Sequence, residues 1–159
     1  MEQQQAIIKQ LLTQWNKDVS AMTGIFEAQG EANALKEVAP GRNTVMYLLG
    51  HMLAVHDRLP EALDAGERSF KDLDQAFLDD ADSKGSYPAT YSQLLAGWKK
   101  VNEAVSAIFE KQDTSDWLSR HHYVSEADFQ KEPHRNRLAI LISRLAHLDT
   151  HLGQLKLLK

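Results

Sequence analysis

The sequence has 159 residues, of which 43% are hydrophobic and 25% are charged, a composition typical of one globular domain spanning residues 1–159. It contains no cysteine, which excludes disulfides, thiolate metal sites, iron–sulfur clusters and a catalytic thiol of its own. Lysine and arginine total 18 against 22 aspartates and glutamates, and the basic residues are scattered, so neither nucleic acid nor an anionic membrane is an expected partner.

The N-terminus and the longest apolar run carry no targeting or membrane signal. The chain begins Met-Glu-Gln-Gln-Gln, without the basic and then apolar regions of a secretory signal. The apolar run over residues 45–55 is short and is interrupted by His51. We therefore expect a cytoplasmic protein.

Two helices are predicted in the first half of the chain. Apolar residues recur at three- and four-residue steps over residues 2–26, the pattern of an amphipathic helix. After a Pro-Gly pair, Asn43 or Thr44 can cap a second helix over residues 45–65. The middle of this second helix is almost entirely apolar, which predicts that it is well buried.

Two further helices are predicted in the second half. The Thr-Tyr-Ser-Gln sequence at residues 90–93 fits a capping box and begins a third helix that continues to Phe109. The fourth is predicted to begin near Pro133, a residue suited to a first helical position, and to run to the C-terminus. Residues 70–78 favour a short extra helix over one end, and no strand pattern competes with these elements.

The connectors bear on the topology. About 16 residues separate the first two helices, whereas more than 20 separate the second from the third and the third from the fourth. A long link over residues 66–89 can carry the chain across a bundle, so that two sequential helices lie parallel. The sequence therefore predicts an all-α fold, a four-helix bundle with a long crossover between helices 2 and 3.

A pair of histidines on the fourth predicted helix could bind a metal ion. His147 and His151 are four residues apart, so they differ by about 40° around the helix and by about 6 Å along it. Both imidazoles can reach one ion at the border of the leucine stripe. The spacing alone is weak, because 7 histidines in 159 residues give roughly 0.3 such pairs by chance.

His51 strengthens the prediction because it interrupts an apolar helix. Burying an imidazole there without a partner would cost on the order of 1–3 kcal/mol. An ion shared with His147 and His151 would supply the partner and leave coordination positions open, as in catalytic sites. The alternative is that His51 bonds a backbone carbonyl or a tyrosine while the other two histidines face solvent.

Two segments carry a resemblance to a known family. They read NTVMYLLGH at residues 43–51 and RLAHLDTHLGQ at residues 144–154. Together with the helix order, they resemble the DinB-like (DinB/YfiT-type) superfamily of metal-binding four-helix bundles. The resemblance implies that His51, His147 and His151 are the metal ligands and that the bundle runs up-down-down-up. It also implies a homodimer, as is common in that superfamily.

The resemblance indicates a substrate class only loosely. Characterised members include transferases and isomerases that use low-molecular-weight thiols such as bacillithiol, mycothiol or glutathione. A divalent ion held by three neutral imidazoles can activate a thiol or a water, and zinc, nickel, iron, manganese or copper fits the donor set. Since the chain has no cysteine, the thiol would come from a separate cofactor. We therefore expect a thiol-cofactor-dependent transferase or related metalloenzyme acting on a small molecule.

Other functions stay open at this stage. A non-catalytic bundle could use the same cleft to bind a small molecule or a metal. Haem ligation by His51 and one histidine of the fourth helix is a third possibility, although His147 and His151 cannot occupy opposite axial faces. The usual metalloprotease, di-iron, phosphate-loop and nucleophile-elbow motifs are missing from the sequence.

Four further histidines have weaker interpretations. His56 follows His51 by five residues, about 140° around the helix, so both cannot face one ion, and we expect His56 at the surface or at a second site. His121 and His122 lie in the connector before the fourth helix, and His134 near its start. These three are expected in solvent, with a smaller chance that one is a fourth ligand or an acid or base.

Several non-histidine residues are candidates for roles near the same histidines. Gln154 lies beside both helix histidines and could hold a metal-bound water or contact the metal ligands from outside, although plain C-terminal polarity is the favoured account. Arg144, one turn earlier, could bind a substrate carboxylate or pair with a neighbouring acid. Trp15 and Trp98 fit core positions, and Trp117 fits a pocket wall or a dimer contact.

Overall fold

A computed structural model describes residues 2–158, and within that range the chain forms helices and loops without a β-strand. The α-helices are α1 (Glu2–Gln29), α2 (Val45–Asp57), α3 (Leu59–Ala62), α4 (Tyr91–Lys111), α5 (Glu126–Lys131) and α6 (Arg137–Leu155). Short 3-10 turns lie at Glu31–Asn33, Lys71–Leu73 and Asp116–Leu118, with a π-helical turn at Gln75–Asp79. The expected all-α class is confirmed.

The four long helices bury one shared core. Helix α2 packs on α4 and α1 packs on α6, while α1 also contacts α4 and α2 also contacts α6. Trp15 and Trp98 are fully buried, as their spacing predicted. Trp117 is buried as well, with its ring centroid 5.3 Å from that of Phe109, so it packs in the core and is not available as a dimer contact.

Side-chain caps begin the helices where the sequence indicated. Thr44 Oγ1 accepts a hydrogen bond from the Tyr47 amide at 3.1 Å, which selects Thr44 over Asn43 as the cap of α2. Thr90 Oγ1 accepts from the Gln93 amide at 3.2 Å, and Gln93 Oε1 accepts from the Thr90 amide at 2.8 Å. The predicted capping box is therefore confirmed, since both reciprocal bonds are present.

Two predicted boundaries are wrong. The second helix ends at Asp57, and Pro60 opens the separate short helix α3, because a proline cannot donate to the preceding turn. The fourth helix begins at Arg137 and not near Pro133, because Asn136 Oδ1 caps the Ala139 amide at 3.0 Å. The intervening connector also contains α5, which the sequence reasoning missed.

The connector between α2 and α4 approaches α2 closely at Gly50. A Cβ added at Gly50 would lie 2.3 Å from the Phe77 ring, so only glycine allows this contact. Residues 71–79 form 3-10 and π-helical turns there, in place of the continuous short helix expected over residues 70–78. Among residues 2–158, none of the helices combines the length and apolar character that crossing a bilayer requires.

Replacing Gly50 tests this close approach. We expect Gly50→Ala to lower the free energy of unfolding by roughly 1–3 kcal/mol, because the new methyl group must displace a buried ring. Gly24→Ala is the matched control: it lies in α1 with no atom within 4 Å of the new Cβ, and should stabilise the helix by roughly 0.5–1 kcal/mol. Urea denaturation measures both, and equal stability of the two variants would contradict the packing.

Candidate metal centre

Three half-buried histidines from two helices converge at the α2–α6 seam. His51 extends from α2, and His147 and His151 extend from α6. His147 Nε2 lies 3.1 Å from His51 Nε2 and 3.1 Å from His151 Nε2. One ligand atom from each histidine falls within 4.8 Å of the others, so the group could hold a metal ion. The predicted convergence of the three side chains is therefore present.

These spacings match the donor geometry of a single ion. Two metal–nitrogen bonds of about 2.05 Å at a tetrahedral angle place their nitrogens about 3.3 Å apart. The observed 3.1 Å separations are close to that value. A proton on His147 Nε2 can be donated to only one of its two neighbours, whereas an ion is shared by all three lone pairs.

The remaining ring nitrogens of two histidines are held by carbonyl oxygens. His51 Nδ1 lies 2.8 Å from the Phe77 backbone oxygen, and His151 Nδ1 lies 2.8 Å from Gln154 Oε1. An oxygen of this kind can only accept, so each Nδ1 carries the proton and each Nε2 presents a lone pair to the site. The backbone-carbonyl alternative for His51 is thus correct for Nδ1, and it leaves Nε2 for the cluster.

Burial keeps the three imidazoles neutral. Burial, together with the smaller effects of the neighbouring His151, His51 and Arg144, lowers the pKa of His147 to about 4. Burial also lowers the pKa of His51 and that of His151. Neutral imidazole is the form that binds metal, so the site needs no deprotonation near neutral pH.

His147 differs from the other two ligand candidates in its outer nitrogen. Its Nδ1 is buried without a hydrogen-bond partner in the described chain, while Nε2 faces the cluster. A buried polar atom in this state costs roughly 1–3 kcal/mol. A metal bond at Nε2 would leave Nδ1–H unpaired, so His147 lacks the outer hydrogen bond that orients the rings of His51 and His151.

Haem does not fit the same arrangement. The ring centroids of His51, His147 and His151 lie 4.5 to 5.1 Å apart, with the Nε2 atoms pointing together. Axial ligands must approach an iron from opposite faces of a macrocycle. Nitrogens 3.1 Å apart leave no room for the macrocycle between them, so the haem alternative is wrong.

His56 is a core residue and not a surface residue as expected. It is fully buried, with its ring centroid 4.6 Å from Trp15 and 4.8 Å from Trp98. Its Nδ1 lies 2.8 Å from Asn102 Oδ1, and Asn102 Nδ2 donates to the Trp98 carbonyl. The Asn102 oxygen therefore accepts from His56, which fixes the neutral tautomer.

The connector histidines do not join the cluster. His121 is buried, and its Nδ1 accepts from the Tyr123 amide at 3.2 Å, so the expectation of a solvated side chain is wrong there. His122 is exposed and lies 2.8 Å from Asp64 Oδ1. His134 is exposed, as expected.

Gln154 and Phe77 hold the ligand histidines from outside the cluster, and the sequence indicated only the first of these contacts. Of the two roles that the sequence allows Gln154, its contact with His151 supports that of a residue that contacts a ligand from outside, in place of simple C-terminal polarity. The Phe77 carbonyl was missed. No side-chain pattern marks a backbone acceptor, although Gly50 beside His51 is the one residue that permits its approach.

Comparison with known proteins adds no assignment: no family model and no curated protein matches the sequence. Functional interpretation therefore depends on the geometry of the site.

The buried state of His56 predicts acid sensitivity. Burial lowers the pKa of His56 from 6.5 to about 3 in the folded chain, so between these values the unfolded chain binds more protons. The contribution of His56 to the free energy of unfolding is therefore complete above pH 6.5. It is lost as the pH falls from 6.5 toward about 3, by up to about 1.4 kcal/mol per pH unit. We expect His56→Phe to reduce the pH dependence of the free energy of unfolding by up to about 1.4 kcal/mol per pH unit.

The measurement is urea denaturation at several pH values with a chelator present. His134→Ala, at an exposed position, is the control and should keep the wild-type slope. An unchanged slope in His56→Phe would contradict the burial of a neutral imidazole.

Proposed function

We propose that this protein is a metal-dependent enzyme whose divalent ion is bound by His51, His147 and His151. The observation that carries the proposal is the meeting of three Nε2 atoms, two of them on rings whose Nδ1–H is held by a carbonyl oxygen. Structural zinc sites are closed by a fourth protein ligand, whereas three protein ligands leave a position for a reactant. The cluster contains no fourth His, Asp or Glu within residues 2–158.

The reaction proposed is transfer to or from a low-molecular-weight thiol. A bound divalent ion would lower the pKa of a thiol or water that shares it, giving a nucleophile at neutral pH. The thiol must be external because the chain contains no cysteine. Zinc, nickel, iron and manganese all suit three imidazoles, and the choice among them depends on geometry and supply.

The chain's own residues orient the reactants. The Phe77 carbonyl and Gln154 hold the rings of His51 and His151, so the donor set is in place before anything binds. Gln154 also lines a cavity of about 490 Å³ together with Arg42 and Asn43. None of the three clustered histidines lines this cavity, and Gln154 is its contact with the His151 side of the cluster.

Membership of the DinB-like superfamily is part of the same proposal. The packing of α1 on α6 and of α2 on α4, with the long connector between α2 and α4, supports an up-down-down-up four-helix bundle. A homodimer is supported by exposed apolar residues on the α1–α6 side, where Ile7 and Ile142 are 55% and 50% exposed. A cytoplasmic location stays an expectation.

A non-catalytic small-molecule binding protein is the second candidate. It is favoured by a mainly apolar cavity of about 470 Å³ between α4 and the α2–α4 connector, lined by Leu53, Phe70 and Gly97 among others. None of the three clustered histidines lines this cavity. A ligand bound there would have no access to the proposed metal.

Metal analysis tests the site assignment. We expect about one Zn²⁺ or Co²⁺ per chain in the wild type, and affinity roughly 100-fold or more weaker in His51→Ala and His151→Ala, because each loses a ligand. His134→Ala is the matched control and should bind like the wild type. Full stoichiometric metal in both ligand variants, measured by elemental analysis after dialysis, would defeat the assignment.

Turnover separates the enzyme from the binding protein. Electrophiles screened with bacillithiol, mycothiol and glutathione should give thiol consumption with the metal-loaded wild type, and little with the chelated protein or with His147→Ala. His134→Ala should keep the activity. Metal binding without any thiol-dependent turnover would move the assignment to the non-catalytic candidate.

A further inference from the structure

A second, smaller cavity continues the α2–α6 seam beyond the histidines. Its volume is about 220 Å³. Its lining includes two arginines and no carboxylate: Val55, Arg58, Leu59, Ala62, Tyr123, Ile140 and Arg144. A cavity of this composition favours a small anion with an apolar part.

Arg144 is the unpaired cation of this cavity. Within residues 2–158 no hydrogen bond or ion pair joins its guanidinium to another side chain, and the residue is half-buried. Burial and the neighbouring Arg58 lower the pKa of Arg144, since both disfavour its charge. The sequence left open whether an acid pairs with Arg144, and the described residues 2–158 provide none. A half-buried guanidinium without an acidic partner is stabilised by any anion that reaches it.

The other two polar lining residues already have acidic partners. Arg58 donates to Asp74 Oδ2 at 2.8 Å, and the Tyr123 hydroxyl donates to Glu61 Oε2 at 2.8 Å. Their acids are therefore engaged outside the cavity lining and do not neutralise Arg144. An incoming anion would meet one free guanidinium fork.

The cavity lies next to the histidine cluster along both helices. Arg144 precedes His147 by three residues on α6, a rise of about 4.5 Å, and Val55 follows His51 by four residues on α2, a rise of about 6 Å. Residues three or four apart share a helix face. A small molecule at Arg144 therefore has its other end within about one helical turn of the three Nε2 atoms.

We propose that Arg144 binds the carboxylate of a small molecule whose other end reaches the histidine cluster. A planar carboxylate matches the two parallel donors of one guanidinium, whereas a phosphate dianion favours more cationic donors than the single free one here. The apolar walls formed by Val55, Leu59 and Ile140 suit a short hydrocarbon part. Carboxylate binding itself needs no metal, but its role in orienting a reactant rests on the proposed function.

The first test uses the metal-free protein and a matched pair of probes. 4-Fluorobenzoate and 4-fluorobenzamide have the same shape, and only the first is charged. ¹⁹F NMR titration should show the wild type binding the acid at least about tenfold tighter than the amide, and Arg144→Gln should lose that preference. Arg135→Gln, which removes a cation paired with Glu132, should keep it.

Two results would overturn the carboxylate site. One is equal binding of acid and amide by the wild type, and the other is an unchanged preference in Arg144→Gln. Arg144→Lys refines the assignment, because it keeps the charge without the fork and should keep only part of the preference.

The second test uses Co²⁺-loaded protein with 3-mercaptopropionate and 3-mercaptopropionamide, followed by the thiolate-to-cobalt absorption. An Arg144-dependent preference for the acid assigns the carboxylate to the thiol cofactor. Equal binding of both thiols, with the fluorobenzoate preference intact, assigns it to the second substrate. If the wild type does not bind cobalt but still prefers 4-fluorobenzoate to 4-fluorobenzamide, the proposed function fails and the carboxylate site stands.

Discussion

The hydrogen bond between His51 and the Phe77 carbonyl ties the site to the fold. It joins a helix to the connector that follows it, and it decides which imidazole nitrogen faces the α2–α6 seam. The connector reaches that position only because Gly50 has no side chain in the path of the Phe77 ring. Without this contact the His51 ring could rotate, and the pair on α6 would have no fixed third partner. The packing of the Phe77 ring on Gly50 therefore also fixes the orientation of His51.

The electrostatics of the seam are unusual for an acidic protein. Neutral imidazoles occupy its middle, and the half-buried Arg144 lies one turn away with no counter-ion in the described part of the chain. Most other buried charges are compensated: the nearly buried Arg68 binds both Asp57 and Asp74. A half-buried cation that has no acidic partner within residues 2–158, beside a set of metal donors, has the composition expected of a site for an anionic reactant.

The sequence predicted the elements better than their ends. Helical periodicity and the caps at Thr44 and Thr90 were readable because they depend on residues close in the chain. Pro60 is a signal for the break after Asp57, but the apolar pattern continues through it over residues 45–65, so the predicted second helix was too long. The convergence of His51 with the pair on α6 was predictable from the polarity of His51. The Phe77 acceptor was not, because a backbone carbonyl leaves no trace in residue type and its position depends on tertiary packing.

His51 and His56 show how rotation around one helix separates a site from a core. Helix α2 is buried on nearly every side, so it has no solvent face on which a histidine could lie. The 140° between the two positions therefore moves His56 from the α6 seam to the opposite interior, between Trp15 and Trp98. There Asn102 satisfies Nδ1, and the rings hold the imidazole neutral by excluding water. The same residue type thus serves packing at one position and presents a lone pair at the other, and only the neighbouring helix distinguishes them.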